Sequence, residues 1–455
     1  MANSNLKQLL TGVVLIGLGA GSTYFAMRNE VRIHRGGGES EPTDAPDDQA
    51  ADERDRPAFK ELPGRWRPAA ERGAAGEGED QLNSLNDLGY AGGYEPSPEQ
   101  SGVVFHAHDL AAEGLNLAHD GAGPRATLMD MDGNVLHEWK YELRQLFSAE
   151  EIRELAEMMD SVPDKYGYFR RVHAFPNGDL LAIFSDAALI KLDRDSNLLW
   201  AWRGAPHHDL WVDPDSGRIW TLTRKVRNIP RYSKDRLCAE DFVTVLSPNG
   251  ELVEEFSILE AFEKSDYSAQ SMIVARGGDL QHTNSLEILD GRLADRSPAF
   301  AAGNVLVSCC KTDTIAVIDP KSQKVVWSLS GAWHRQHQPT VLDNGHMLIL
   351  DNRGFGGNSK VLEFDPFTQE VFWAYRHSEK TPFSTLTCGS NQRLENGNTL
   401  ITETDSGRAF EVNRDGQIVW EYLTPNRAGA DEQLIATLFE VIRLPSDYFG
   451  SWLAE

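Results

Sequence analysis

Three of the chain's 13 histidines occur at matching places in its repeated segments. Each lies eight or nine residues before a turn glycine: His208 before Gly217, His282 before Gly291 and His337 before Gly345. A neutral imidazole can attack an electrophile to form a covalent intermediate, and it is also a common ligand of zinc, copper or nickel. Neighbouring protonated imidazoles would stabilise charge that develops on a transferred group. The shared spacing therefore predicts one functional centre containing all three histidines.

The residues around this centre favour nucleophilic chemistry over metal binding. The carboxylate that shares the register is Asp209, directly after His208. Because neighbouring side chains in a strand point to opposite faces, Asp209 should point away from that histidine. We therefore expect neither a metal nor a cofactor at the centre. Five further histidines fall outside the register and are expected to be structural or solvent-facing: His106, His108, His173, His334 and His346.

The elements that must position the histidines are short strands joined by turns. From residue 101 onward, six segments combine a strand, a turn rich in Asp, Asn, Pro or Gly, and a second strand ending near an aromatic residue, which is typical of a hairpin. They span residues 128–139, 192–200, 245–256, 318–327, 364–373 and 412–420. Inner hairpins with Asn-Gly turns complete four-stranded units, so the sequence predicts an all-β, six-bladed β-propeller. The apolar segment 437–444 could close the ring on the first blade.

In a propeller, the innermost strand of each blade lines the central channel, so residues at its start converge from several blades. This is why the common register of the histidines matters. At the equivalent place the second repeat has Arg170 and Arg171, and the sixth has Gly389 and Ser390. We expect these positions to face the same centre.

Other local patterns predict packing. Residues 142–159 have apolar residues at helical spacing, and the capping box Ser148-Ala-Glu-Glu151 divides them into two short helices. The aromatic residues that end the outer strands are expected to pack between blades. The four cysteines have no zinc-binding spacing and are expected to be buried thiols. The alternative of a disulfide between Cys238 and Cys388 is not decided by the sequence.

The charge balance excludes one class of partner. The chain has 44 Lys and Arg against 69 Asp and Glu, a formal net charge of −25. Such a polyanionic chain would not neutralise phosphates, so we expect no nucleic-acid binding.

The N-terminal hundred residues differ from the rest. Residues 9–27 form an uncharged, largely apolar run long enough to span a bilayer, and they predict an uncleaved transmembrane anchor within residues 1–35. Residues 36–100 are acidic and rich in Gly, Pro and Ala, which predicts a disordered linker before the propeller at 101–455. We expect a membrane-anchored protein whose propeller lies on the periplasmic or extracellular side.

Residues 173–422 resemble the bacterial arylsulfotransferases. The resemblance rests on Gln336-His-Gln-Pro339 with the strand pair that ends at Asn352, on His207-His-Asp209, on His282-Thr-Asn-Ser285, and on residues 391–400. It implies that an aryl sulfate donates its sulfuryl group to a phenol, without a nucleotide donor, through a histidine-linked intermediate. By this resemblance His337 is the nucleophile, while His208, His282 and Asn284 surround the sulfuryl oxygens.

One position departs from the family. Where the resemblance implies an arginine before the fourth outer hairpin, this chain has Cys310, followed by Lys311. We expect Lys311 and Arg171 to contact the substrate, although lysine lacks the planar fork of arginine. The departure also supports the alternative that the chain is a non-catalytic, membrane-anchored propeller that acts as a binding scaffold.

Overall fold

The structure, a computed structural model, describes residues 95–158, 167–273, 278–354, 358–429 and 432–454. The predicted anchor at 9–27 and the linker up to residue 94 lie outside these ranges. Their boundaries and the expected localisation therefore stay predictions. Within the described ranges, no helix is both long and apolar enough to span a bilayer.

The described chain consists mainly of short strands. In chain order they are β1 (Gly102–His106), β2 (Leu115–Asp120), β3 (Arg125–Met129), β4 (Val135–Lys140), β5 (Arg171–Ala174), β6 (Leu180–Phe184), β7 (Ala188–Leu192), β8 (Leu198–Trp202), β9 (Pro206–Val212), β10 (Ile219–Arg227), β11 (Cys238–Leu246), β12 (Leu252–Ser257), β13 (Gly278–Asp279), β14 (Thr283–Ile288), β15 (Val305–Cys309), β16 (Thr314–Asp319), β17 (Lys324–Ser330), β18 (His337–Val341), β19 (Met347–Asp351), β20 (Lys360–Phe364), β21 (Val371–Arg376), β22 (Ser390–Arg393), β23 (Thr399–Glu403), β24 (Arg408–Val412), β25 (Ile418–Leu423), β26 (Arg427–Ala428), β27 (Leu434–Ile435) and β28 (Leu438–Leu444). The helices are α1 (Ala149–Met158) and α2 (Ile258–Glu263), with 3₁₀ turns at Leu143–Gln145, Ser268–Ile273, Pro298–Phe300, Cys310–Thr312 and Gly450–Ala454.

These strands form six antiparallel blades, which confirms the six-bladed propeller. From the channel outward the blades are β28-β2-β3-β4, β5-β6-β7-β8, β9-β10-β11-β12, β14-β15-β16-β17, β18-β19-β20-β21 and β22-β23-β24-β25. The short β13 pairs with β11, and β26 pairs with β27.

The ring is closed at both ends of the described chain. The C-terminal β28 pairs with β2, with Leu117 opposite Ile442, and so becomes the innermost strand of the first blade. This confirms the closure predicted for residues 437–444. The N-terminal β1 pairs with β25 and becomes a fifth, outermost strand of the sixth blade. Strands from the two ends of the chain therefore support neighbouring blades.

The hydrophobic core is divided among the seams between blades. In β6 all five residues are buried, because Leu180 and Phe184 pack against the first blade while Leu181 and Ile183 pack against the third. Side chains of a strand alternate between faces, so a blade with neighbours on both sides needs apolar residues throughout its middle strands. Each of the six seams has an apolar cluster of this kind.

The turn residues explain the repeated sequence pattern. Asp130 and Asp193 each accept hydrogen bonds from the backbone amides two and four residues ahead, at 2.8–2.9 Å. Asn413 accepts the equivalent bonds in the sixth blade, at 3.1 and 2.9 Å. Such side chains replace backbone hydrogen bonds in tight turns, which is why Asp or Asn recurs at these places.

The other packing predictions agree with the structure. Trp139 donates through Nε1 to the carbonyl of Gly178 in the next blade, and Trp420 donates to that of Met131, so both join neighbouring blades. The insertion consists of a 3₁₀ turn and α1, with reciprocal bonds between Ser148 and Glu151. All four cysteines are buried and free, so Cys238 and Cys388 form no disulfide.

Candidate active site

The inner strands of blades three, four and five begin irregularly. The pairing of β9 with β10, of β14 with β15 and of β18 with β19 is broken by a bulge near each histidine. His208, His282 and Gln338 have φ angles of 56°, 51° and 46°, which are uncommon for residues other than glycine. Bulges re-aim side chains and often lie beside functional sites. Simple alternation along the strand therefore does not describe these positions.

Two of the histidines are in ring contact. The imidazole centroids of His208 and His282 are 4.8 Å apart at an interplanar angle of 73°. Burial lowers the pKa of His208 well below its usual value, and the charges of Arg170 and His282 lower it further. The structure thus brings His208, His282 and Arg170 together near the channel.

His337 is held in a single tautomer. Its Nδ1 lies 2.7 Å from Asn352 Oδ1 and 3.2 Å from the carbonyl oxygen of Arg335. The side-chain amide of Asn352 cannot be flipped without losing two hydrogen bonds, because its Nδ2 donates to the carbonyls of Thr385 and Cys388 at 2.8 and 2.7 Å. Both neighbours of Nδ1 are acceptors, so Nδ1 carries the proton and Nε2 carries the lone pair.

The protonation of His337 follows from its surroundings. Burial lowers the pKa of His337 to about 3, and the charges of Arg170 and His282 also lower it. The hydrogen bond to Asn352 acts in the opposite direction but is outweighed. At neutral pH the ring is therefore uncharged, with an unprotonated Nε2. A lone pair on an oriented, neutral imidazole is what a nucleophile requires.

His282 belongs to a buried pair with a carboxylate. Its Nδ1 bonds to Asp279 Oδ2, and its backbone amide donates to Asp279 Oδ1 at 3.1 Å. Burial alone would raise the pKa of Asp279, but Arg224, His282 and Lys311 hold it well below its usual range. Burial outweighs the attraction of Asp279 and lowers the pKa of His282. The ionised Asp279 orients a neutral imidazole, as in acid–base dyads.

His208 is linked to the preceding histidine. Its Nδ1 lies 2.8 Å from Nδ1 of His207, whose Nε2 lies 3.3 Å from Asp241. The Nε2 of His208 is buried and has no hydrogen-bond partner among the described residues. An unpartnered buried nitrogen beside the other rings is a candidate contact for a substrate oxygen.

Asn284 and Lys311 lie next to the histidines. Asn284 donates from Nδ2 to the carbonyl of Gln336 at 2.8 Å, while its Oδ1 is buried without a partner in the described part of the chain. The Nζ of Lys311 lies 3.3 Å from the carbonyl of Asp279 and 3.7 Å from its carboxylate. Asn284 thus supports the strand that carries His337, and Lys311 supports the partner of His282.

The two consecutive arginines of the second blade have different surroundings. Arg171 bonds to Asp209 at 2.8 Å and to Glu440, so its guanidinium is already paired with two buried carboxylates. A guanidinium nitrogen of Arg170 lies 3.5 Å from the sulfur of Cys388, and the guanidinium carbon lies 5.2 Å from the centroid of the Phe439 ring. The charge of Arg170 lowers the pKa of both His208 and His337. A role for Arg171 in substrate contact stays a prediction, while the charge of Arg170 acts on His208 and His337.

Near Cys310 lies an arginine from the loop between β17 and β18. Burial raises the pKa of the Cys310 thiol to about 11, while the nearby guanidinium of Arg335 acts in the opposite direction. Arg335 has a φ of 58° and comes two residues before His337. A cation therefore lies beside the place where the family resemblance implies an arginine side chain.

Sequence reasoning missed Asp279, Arg335 and Asn352. It also selected Arg171 rather than Arg170 as the substrate contact. Asn352 follows β19, whose Leu350 pairs with His337, so its position two residues beyond that pair was a usable signal. Arg335 had no such signal, because it depends on a left-handed backbone turn.

The three register histidines do not form a metal cluster with acidic groups or thiols. In the described ranges, the group of His, Cys, Asp or Glu side chains close enough to share an ion is His106, His108 and Asp132. His106 ends β1, the outermost strand of the sixth blade, and so lies apart from the channel.

Comparison with known proteins agrees with the sequence resemblance. Residues 171–425, more than half of the chain, match the family model described as Arylsulfotransferase (ASST). No curated protein matches the chain significantly in sequence.

Three solved structures show distant similarity to this chain. A Bacteroides caccae protein of unknown function is 14% identical with a TM-score of 0.44, covering 72% of this chain and 98% of its own. A streptogramin B lyase is 13% identical with a TM-score of 0.40, covering 78% and 98%. The Staphylococcus aureus virginiamycin B lyase is 10% identical with a TM-score of 0.35, covering 60% and 83%. None of these is close enough to support a statement about this chain.

Proposed function

This chain belongs to the arylsulfotransferase family, and we propose that it moves a sulfuryl group from an aryl sulfate to a phenol through a covalent intermediate on His337. Family membership supports aryl sulfotransferase activity in general. The observation that carries the finer proposal is the contact between His337 Nδ1 and Asn352 Oδ1, which leaves Nε2 as the nucleophile.

In the first half-reaction, the Nε2 lone pair of His337 attacks the sulfur of the aryl sulfate. A nitrogen–sulfur bond forms as the bond between sulfur and the aryl oxygen breaks, and the electron pair leaves on the phenolate. The ring keeps its Nδ1 proton and becomes cationic. The oxygen of Asn352 and the carbonyl of Arg335 face that proton and stabilise the charge as it develops.

In the second half-reaction, the acceptor phenol must lose its proton before its oxygen attacks the sulfur. The neutral His282 is the proposed base, since Asp279 holds its Nδ1 and leaves Nε2 to accept the proton. The ionised Asp279 then stabilises the imidazolium. When the new sulfur–oxygen bond forms, the nitrogen–sulfur bond breaks and its electron pair returns to His337.

The transferred group is anionic, and the site offers cations to it. The charge of Arg170 acts on His208 and His337, and Arg335 comes two residues before His337. We propose that they bind the sulfuryl oxygens, with Asn284, Lys311 and the Nε2 of His208 as further contacts. Guanidinium groups suit such oxyanions because their donors form a planar fork.

The test is the covalent adduct. After exposure to an aryl sulfate whose phenolate absorbs light, the full chain should gain the mass of one SO₃ group and release one equivalent of phenolate. Added phenol should restore the original mass. The His337→Ala variant should do neither, whereas His334→Ala, at a partly exposed ring outside the channel register, should behave as wild type. An adduct of equal yield in His337→Ala would contradict the proposal.

A second candidate function is a non-catalytic scaffold that binds a partner on the channel face. The buried Cys310 in place of an arginine favours it, because a neutral thiol supplies no positive charge to bind a sulfate. The same mass measurement separates the two functions. A wild-type chain that binds aryl sulfate but gains no mass and releases no phenolate would support the scaffold.

We also propose, from the sequence, that residues 9–27 anchor the protein with its propeller on the periplasmic or extracellular side. Deletion of residues 1–35 should move the protein from the membrane pellet to the supernatant after ultracentrifugation. Full-length protein that stays in the supernatant would contradict the anchor.

A further inference from the structure

Three potential metal ligands meet at the seam between the sixth and first blades, apart from the site above. His106 Nδ1 lies 2.9 Å from Asp132 Oδ1, and the rings of His106 and His108 have centroids 3.9 Å apart. One ligand atom from each of the three residues lies within 4.8 Å of the others. We propose that His106, His108 and Asp132 bind a divalent transition-metal ion of the zinc class.

The backbone holds the two histidines in place. His106 ends β1, and the amide of the following Ala107 donates to the carbonyl of Val419 in β25 at 2.8 Å. The carbonyl of Ala107 accepts from the amides of Leu110 and Ala111, at 2.9 and 3.0 Å. His108 therefore begins a closed turn whose position is fixed by the sixth blade, although its side chain is exposed.

The third ligand is fixed by the first blade. Asp132 lies in the turn between β3 and β4, and its amide donates to Asp130 Oδ1 at 2.9 Å. The next residue, Gly133, has a φ of 85°, and a Cβ there would come within 3.0 Å of the Val103 side chain. The turn thus packs directly under β1. An ion held here would join the outermost strand of one blade to a hairpin of the next.

The ligand types fit zinc better than calcium or magnesium. Two imidazole nitrogens and one carboxylate, with a fourth position open to water, are a common set for zinc, whereas calcium and magnesium prefer oxygen alone. Ligand atoms around tetrahedral zinc lie roughly 3.4 Å apart, given bonds of about 2.1 Å. The observed separations, from 2.9 Å to within 4.8 Å, bracket that value, and the exposed His108 ring is free to adjust.

Zinc binding to the full, tag-free chain tests this site. After EDTA treatment and dialysis, titration with ZnCl₂ followed by calorimetry should give one saturable site. His108→Ala and Asp132→Asn should each weaken that site at least tenfold. His346→Ala, at a histidine of the fifth blade, should leave it unchanged. Replacement of zinc by Co²⁺ should give visible absorption bands in wild type that both variants lose.

A stability measurement makes the outcome independent of folding defects. Zinc should raise the Tm of wild type, because an ion that binds only the folded state stabilises it. The rise should disappear in His108→Ala, whose metal-free Tm should match wild type because the side chain is exposed. No saturable binding, binding of equal strength in His108→Ala and Asp132→Asn, or a site lost instead in His208→Ala would overturn the proposal.

Discussion

The side-chain oxygen of Asn352 lies 2.7 Å from Nδ1 of His337, and the amide nitrogen of Asn352 bonds to two backbone carbonyls at the start of the sixth blade. The orientation of the histidine in the fifth blade therefore depends on the loop that enters the next blade. This contact makes Nε2 the reactive atom and provides an acceptor for the charge that forms on the ring.

Loss of that acceptor should slow catalysis. In Asn352→Leu, the ring can turn and its developing charge loses a hydrogen bond of about 1.5–3 kcal/mol, so kcat should fall roughly 10- to 100-fold. The KM for aryl sulfate should change little, because Asn352 does not face the sulfuryl group. Steady-state phenolate release measures both constants. Asn249→Leu, in an exposed turn, is the matched control, and an equal loss in that variant would refute the assignment.

The first half-reaction should be insensitive to pH near neutrality. The pKa of His337 is lowered to about 3, so its ring is already unprotonated throughout the range from pH 5 to 8. Single-turnover release of phenolate should therefore have a constant rate over that range. A rate that rises through an inflection near 6.5 would show that the nucleophile has the pKa of an ordinary histidine.

The same burial should affect stability in acid. His337 binds a proton in the unfolded chain below about pH 6.5 but in the folded chain only near pH 3. The contribution of the neutral His337 ring to the free energy of unfolding is therefore present above pH 6.5. It is lost as the pH falls from 6.5 towards 3. When the pH is lowered from 7 to 5, this protonation should reduce the free energy of unfolding of wild type by about 2 kcal/mol. The His337→Gln variant lacks the ring, so its free energy of unfolding should decrease by about 2 kcal/mol less over the same pH range.

Urea unfolding at the two pH values measures this difference. The comparison variant is His334→Gln, whose ring is partly exposed. An equal effect in both variants would mean that the burial of His337 is not its source.

Arg335 should substitute for the arginine missing at position 310. Because its guanidinium is near enough to act on the pKa of the Cys310 thiol, Arg335→Gln should lower kcat/KM for aryl sulfate roughly tenfold or more, as expected for the loss of a charge-assisted hydrogen bond. The double variant Cys310→Arg/Arg335→Gln should recover part of the loss, since it returns one cation to the same place. Arg218→Gln, at an exposed turn, serves as control. No recovery in a folded double variant would contradict the substitution.

The sequence by itself was sufficient for the fold. Asp and Asn at the turns, apolar strands and closing aromatic residues act over a few neighbouring residues, so they repeat visibly along the chain and indicate six blades. The closure by β28 was also predictable, because a lone apolar strand after the sixth repeat needs a partner. The register placed His208, His282 and His337 at the starts of inner strands for the same reason.

The environment of each site residue was decided only by the tertiary structure. Asn352 meets His337, Arg335 meets Cys310, and Arg171 is paired with Asp209 and Glu440 while Arg170 approaches the histidines. These contacts join different blades or depend on bulges and left-handed residues at the starts of the inner strands. The alternation of side chains along a strand cannot predict where these site residues point, because a single bulge changes the face to which every following side chain points.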